Sequence, residues 1–427
     1  MSNLMYSTLS RSSVLITSRA KRPFSSFLLS TNKSSPSQAL FPHVEDSMHN
    51  RKSKLQYPIR SLSTDESAND LLKNLDFKWT KINPEPDSKY GLPCERSSHG
   101  LSILKNGSLL ILHGGEQIAR TPLDNSQMTW AAQQTKDGTW HWKLISTLES
   151  IGLNPPPRVA HAQAVYKDSV YLFGGRQGVA MEESALSDLW RLDCTNDTFT
   201  WHKIQPDGDD VPEARSFHQM ISVGSSLYIF GGCGENGRLA DLHRYDIEAN
   251  TWHTLPSSSL LEGRGGANLM TFDSSKYIGV TAGFCGREAN DGHLFDVAKG
   301  SWQNIGINDR LNGLRPRSVC INASFPSMDM SLIFGGEVDP SEKGHEGAGG
   351  FENDLVILDE NTATYQATLV APASSSESWP ETRGWSDGDS IENGGRSAQL
   401  YVYGGLAGDD NSPKRLNDLW CLDVRKS

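Results

Sequence analysis

The chain is predicted to fold as an all-β, six-bladed β-propeller, and three observations carry that prediction. A glycine doublet closes an apolar strand in five units, and Ala282-Gly283 does so in a sixth. An aromatic residue comes after each of the first five doublets at a similar spacing. The last unit ends without its final strand, and a matching strand stands alone near the N-terminus.

The doublets are Gly114-Gly115, Gly174-Gly175, Gly231-Gly232, Gly335-Gly336 and Gly404-Gly405, with Ala282-Gly283 as the fourth copy. The strands that end in them, such as VYLFGG and LYIFGG, alternate in the way of strands buried between neighbouring sheets. Paired glycines let the backbone turn tightly through φ values closed to other residues. Trp142, Trp201, Trp252, Trp302 and Tyr365 come next, supplying bulk for the wider, outer space between wedge-shaped blades. Glycine pair and spaced aromatic at a period of roughly 50 residues form the kelch signature. A β-sandwich with incidental glycines does not account for six copies. The final unit, LNDLWCLDVRKS, lacks its Trp strand, which FKWTKI supplies with Trp79 in the expected place. That donated strand closes the ring and removes its exposed edges.

The chain divides into three segments: residues 1–62 as a disordered transit peptide, 63–76 as a linker and 77–427 as the propeller. Residues 1–62 hold nine Lys/Arg against Glu45 and Asp46, a balance of +7, whereas the remainder holds 31 basic and 49 acidic residues, a balance of −18. The Ser- and Arg-rich leader, with a processing-like Arg60-Ser61-Leu62-Ser63, resembles a mitochondrial targeting peptide, with a plastid as the alternative. A plain disordered tail, and with it a cytosolic protein, is the other reading. The acidic body argues against nucleic-acid partners. No run approaches the roughly 18 apolar residues of a membrane helix, so no membrane partner is expected. None of the six cysteines forms a CxxC pair, and they are read as reduced thiols.

Arg96, Arg158, Arg215, Arg264, Arg317 and Arg383 each open an innermost strand. They either ring the central channel as a cationic mouth suited to carboxylate, sulfate or phosphate, or bond blade carbonyls and hold the ring together. His99, His161 and His218, three residues after the first three arginines, read as structural repeats. Glu288, Asp291 and His293 read as a loop-and-strand feature, and Trp379 and Trp385 either line the mouth or pack between blades. After the fifth doublet, SLIFGGEVDPSEKGHEGAGGFENDL places Glu337, Asp339, Ser341, Glu342 and His345 in one glycine-rich loop. Its carboxylates and imidazole are donors that Fe(II), Mn(II) or Zn(II) accept, although a loop can equally scatter them into water.

The runs RSFHQMISVGSSLYIFGGCGENGRLADLHRYD, GRGGANL, GFCGREANDGHLFD, RPRSV, FGGEVDPSEKGHEGAGGF and ETRGW resemble the plant specifier proteins of glucosinolate breakdown. These are the epithiospecifier, nitrile-specifier and thiocyanate-forming proteins. The likeness covers roughly residues 77–425. It implies Fe(II) held by a Glu-x3-Asp-x3-His motif, matched here by Glu337 and His345, with Ser341 where the family has Asp. Asp339 or Glu342 is the substitute from a neighbouring position, or water fills the gap. The arginines that hold the substrate sulfate in that family correspond to Arg176 and Arg238. The resemblance thus implies a lyase-type step on a small anionic, sulfur-containing compound at one mouth, giving a nitrile or thiocyanate. The leader, which the plant proteins lack, points to a substrate other than a glucosinolate. The competing class is a non-catalytic interaction scaffold with a protein partner, since a propeller alone never fixes function. No P-loop, dinucleotide fingerprint or GxSxG elbow is present.

Overall fold

The structure, a computed structural model, describes residues 74–146, 154–178, 184–195, 198–306, 314–360, 366–370 and 379–427. The expected transit peptide, most of the linker and Tyr365 lie outside the described residues. Six four-stranded antiparallel sheets form the blades, with two short hairpins, Glu116–Ile118/Thr121–Pro122 and Glu337–Asp339/Gly350–Phe351, at one end. The innermost strands are Gly100–Leu104, Ala162–Tyr166, Gln219–Val223, Asn268–Phe272, Ile321–Phe325 and Asp387–Glu392. Each packs on the next, and the sixth on the first, closing the ring. Closure is completed as expected: Leu75–Ile82 pairs antiparallel with Ser412–Lys426, Trp79 opposite Leu422. That closing strand starts at Leu75, within the segment expected to be linker.

The glycine doublets are the clasps between blades. The second glycine of each (Gly115, Gly175, Gly232, Gly283, Gly336 and Gly405) donates its N–H to the carbonyl of the next blade's arginine, at 2.8–3.0 Å. This makes a circle of six main-chain bonds that ends from Gly405 to Arg96. The approach requires glycine: at Gly114, φ is +65° and a Cβ would stand 2.7 Å from the Arg158 carbonyl oxygen. In the fourth blade Ala282 occupies the same left-handed region, φ +58°, a conformation that costs an L-residue about 1–2 kcal/mol.

The six arginines are not a cationic lining of the channel; of the two expectations, the structural one holds. All are at most 1% exposed. Each guanidinium donates to the carbonyl of the first doublet residue of its own blade, as Arg317 does to Gly335 at 3.0 Å. Five also grip a carboxylate with both nitrogens: Asp188, Asp241, Asp291, Asp354 and Asp418, on or just before the third strand of the blade. The first blade has Met128 at this position, and Arg96 Nη2 instead donates to the Gln127 carbonyl at 2.9 Å and meets Cys94 Sγ at 3.5 Å.

His99, His161 and His218 are likewise buried seam residues. A Cβ on Gly114 would come 2.8 Å from His161 Cε1, and one on Gly174 2.9 Å from His218 Cε1, so each imidazole fills the room its neighbour's glycine leaves. Burial, reinforced by the Arg158 charge, pushes His161 down to about 3. The folded state thus refuses a proton that the unfolded chain binds below its ordinary value of 6.5. Stability from this residue is complete above that value and is lost as pH falls below it. The stability gap between the native protein and His161→Gln is expected to narrow by about 1.4 kcal/mol per pH unit below 6.5, read from urea unfolding at pH 7.5 and 5.5. A gap independent of pH would mean that His161 is protonated in the folded protein.

Candidate functional site at the propeller mouth

Because each blade is an antiparallel meander, the loops after the second and fourth strands all leave at one end. The residue after each glycine doublet forms a main-chain bridge with the residue after a ring arginine: Glu116 with Ser97, Arg176 with Val159, Cys233 with Ser216, Phe284 with Gly265, Glu337 with Ser318 and Leu406 with Gly384. One backbone geometry therefore sets six different side chains around a single rim. Arg238 joins them by pairing with Cys233.

Beneath the rim, Ser98, Ala160, Phe217, Gly266, Val319 and Trp385 all have left-handed φ, from +47° to +59°. Each donates its N–H to the carbonyl of the one before, and Ser98 donates to Trp385, at 2.8–3.1 Å. Phe217 and Trp385, from opposite blades, meet edge to face at 5.3 Å across this circle. Trp385 thus belongs to the floor of the mouth, whereas Trp379 packs 6.1 Å from Trp79 at an inter-blade seam. The cavity in the channel bounded by the aromatic pair is about 70 Å³, far below the roughly 300–1,000 Å³ of organic ligand sites.

The rim is electrically divided. Arg176, half-buried on the second blade, and exposed Arg238 on the third both draw down the Cys233 thiol, which burial pushes up more strongly. The Arg238 guanidinium lies 4.6 Å from the centre of the Phe284 ring. Glu116 of the first blade is paired with Arg415 at 3.6 Å, and two further carboxyls stand beyond Phe284. Burial lifts Glu288 to about 7, opposed by the Ser318 hydroxyl at 3.2 Å and reinforced by the charges of Glu337 and Asp339. Burial also lifts Glu337 to about 7, although the N–H groups of Ser341 and Gly349 and the Trp385 side chain bond its carboxyl, and Asp410 adds to the rise.

The expected metal-ligating residues share this mouth with the arginines but do not all converge. Glu337 is 7% exposed and turned into its own loop. Asp339 is exposed and paired with Arg315 at 2.7 Å, and Arg315 also holds Glu352 at 3.0 Å. The Ser341 hydroxyl donates to Asp410 of the sixth blade. His345 lies in the short turn Gly344–Glu346, and its side chain lies outside what is described. Among the described residues no group of three metal-type side chains is assembled. A Cβ on Gly347 would collide with Ser341 Oγ and Asp410 Oδ1, and one on Gly349 would come 2.7 Å from Glu337 Oε1, so the loop is bare where carboxylates enter it. Asp410 comes 69 residues after Ser341, and nothing in the local Asp-Asp-Asn turn marks it. Asp291 and His293 are structural, one gripping Arg264 and the other bonding Ser258 at 2.6 Å.

Comparison with known proteins agrees with this architecture. The KLHDC2/KLHL20/DRC7 Kelch-repeats domain matches residues 63–210 and 139–336. The chain is 25% identical over 356 residues to N-(sulfonatooxy)prop-2-enimidothioate sulfolyase of Thlaspi arvense, covering 78% of this chain and 94% of that protein. It is 31% identical over 196 residues to human host cell factor 2, covering 43% of this chain but only 23% of that protein. The solved structure of YjhT superposes with a TM-score of 0.56 at 14% identity, covering 77% of this chain and 95% of that one, a likeness of fold alone. With six glycine-clasped blades and a family match over more than half its length, the chain belongs to the kelch-repeat propeller family.

Proposed function

We propose that this propeller binds a small anionic, sulfur-containing compound at the divided rim and promotes departure of its sulfate, a specifier-type lyase activity. The observation that carries this reading is the gathering of Arg176 and Arg238 about Cys233, on the same mouth as the Glu337 loop. Two guanidiniums held by strand pairing offer paired donors to a sulfate group. They stabilise negative charge as the sulfate leaves with the electron pair of its N–O bond while the C–S bonding pair closes the third C–N bond of a nitrile and sulfur departs at the zero oxidation state, and a rim pre-set by backbone bridges needs little reorganisation. Phe284 and the Phe217–Trp385 floor shield that charge from water on one side. Similarity to a protein named as a sulfolyase supports the reaction class. Glu337 and His345 are the residues that would hold Fe(II). When bound, it supplies a Lewis-acid contact for sulfur at the acidic side of the rim.

Calorimetry with a short alkyl sulfate tests the binding half. Arg176→Ala and Arg238→Ala are each expected to weaken binding at least about tenfold, as a lost charge-assisted contact of ~1.5–3 kcal/mol implies. Melting temperatures should stay near that of the native chain. Unchanged affinity in both variants would sink the proposal.

A protein-binding scaffold is the second reading, and one observation favours it. The exposed large apolar side chains Tyr90, Leu92, Val211 and Leu260 sit on loops of this same end, and Ile118 on its short hairpin. Such residues on a rigid platform are where partners dock. Under this reading sulfate binding is undetectable in the native chain and in both arginine variants, and substitutions at Ile118 or Leu260 matter instead.

A further inference from the structure

We propose that the compound bound at the divided rim carries an ammonium group besides its sulfate, and that the Glu288 carboxyl holds this ammonium next to the Arg238 that takes the sulfate. The inference rests on the sulfate-binding part of the reading above. One backbone position generates both charges. In the third blade Cys233, just after the doublet, pairs across its hairpin with Arg238, and in the fourth blade Phe284 pairs in the same way with Glu288. Residues directly opposite in an antiparallel pair share a face of the sheet, with Cβ atoms roughly 5 Å apart. Glu288 therefore flanks the Phe284 side chain, whose ring centre lies 4.6 Å from the Arg238 guanidinium of the neighbouring blade. Opposite charges thus adjoin one aromatic side chain.

Both charges lack a counter-ion. Among the described residues neither forms an ion pair: exposed Arg238 rests on the ring, and half-buried Glu288 accepts from the Ser318 hydroxyl at 3.2 Å while its enclosed Oε2 has no partner. The charged groups nearby are spent elsewhere. Arg287, next in sequence to Glu288, grips Glu262 with both nitrogens at 3.1 and 3.0 Å, and Asp291 grips Arg264. Arg315 holds Asp339 and Glu352. The comparable charges of the first and sixth blades, Glu116 and Arg415, meet at 3.6 Å and offset each other. On the next blade Glu337 acts on Glu288 through its charge and adds to the demand for a cation. A ligand with a sulfate alone lays its charge beside these carboxyls and is repelled, whereas a zwitterion satisfies both halves of the rim. Its ammonium also brings the N–H donors that a half-buried carboxylate requires.

Calorimetry on the full chain tests this with matched probes: ethyl sulfate against 2-aminoethyl sulfate, and propyl sulfate against 3-aminopropyl sulfate. In the native protein at least one amino sulfate is expected to bind about fivefold or more tighter than its alkyl counterpart, between the worth of exposed and of buried charged contacts. The native pairs decide the ligand class without any variant. Glu288→Gln, nearly isosteric, should bind the alkyl sulfates at least as well as the native chain and lose the preference, with its melting temperature unchanged. Arg238→Ala should weaken binding of all four probes. Equal or weaker binding of the amino sulfate in both pairs overturns the ammonium assignment and leaves the sulfate reading standing. A preference that survives Glu288→Gln overturns the role of Glu288. Absence of binding by every probe overturns both readings.

Discussion

Arg317→Met is expected to destabilise the propeller by about 3–5 kcal/mol, the cost of stranding one partner of a buried ion pair. The guanidinium and the Asp354 carboxylate are 1% and 8% exposed, joined at 2.6 and 3.0 Å, with further bonds to the carbonyls of Gly335 and Arg315. Methionine fills the volume but leaves Asp354 charged and the Gly335 carbonyl without its donor. Since Gly336 clasps the sixth blade through Arg383, the damage falls on a joint of the ring. Arg317→Met/Asp354→Leu should recover much of the loss, because the stranded charge is gone. Arg96→Met should cost less than Arg317→Met, since Met128 stands where the other blades have the carboxylate. Urea unfolding of the native protein and these three variants checks the order. Equal losses for Arg96→Met and Arg317→Met would show that the carbonyl bonds, and not the carboxylates, hold the joints.

Removal of the chain through Ile82 is expected to have a larger effect still, abolishing a cooperative melt and giving aggregates. That deletion bares the edge of Ser412–Lys426, a row of unpaired donors and acceptors open to other chains. It also removes Trp79, 4% exposed, from a cluster with Phe334 at 4.8 Å, Trp379 at 6.1 Å and Trp420 at 6.5 Å. Trp79→Ala alone should cost about 3–5 kcal/mol, in line with other large aromatic truncations. Deletion of residues 1–73 leaves the strand in place and serves as the control. Light scattering and thermal melts read both outcomes. A monomeric, sharply melting protein without Leu75–Ile82 would mean that the ring holds without its closing strand.

The fold was legible because kelch blades repeat their chemistry along the chain. Doublets such as Gly174-Gly175 recur since a Cβ at either position would stand 2.7 Å from a neighbouring carbonyl oxygen, a demand local enough to mark the sequence. Trp79 could be assigned to the last blade because one missing strand and one spare strand match. Part of the site was legible on the same grounds: Arg176 and Glu337 hold the same place in their blades, so the repeat alone puts them on one rim.

What pattern could not show was where buried charge would go. The six arginines read as ties in preference to a channel lining, but the sequence did not show that for five of them the tie is completed by Asp188, Asp241, Asp291, Asp354 and Asp418 arriving from other strands. The loop from Glu337 to Gly350 offered donors without saying which were already spent, and only the folded chain shows Asp339 on Arg315 and Ser341 on Asp410. By itself, then, the amino-acid order determined the blades, their number and their closure, because those arise from contacts that repeat. Tertiary structure alone decided the partners of each polar group at the rim, because those partners lie far apart in the chain, 69 residues for Ser341 and Asp410 and 318 for Ser97 and Arg415, and a polar side chain leaving water takes whichever donor the packing brings within reach.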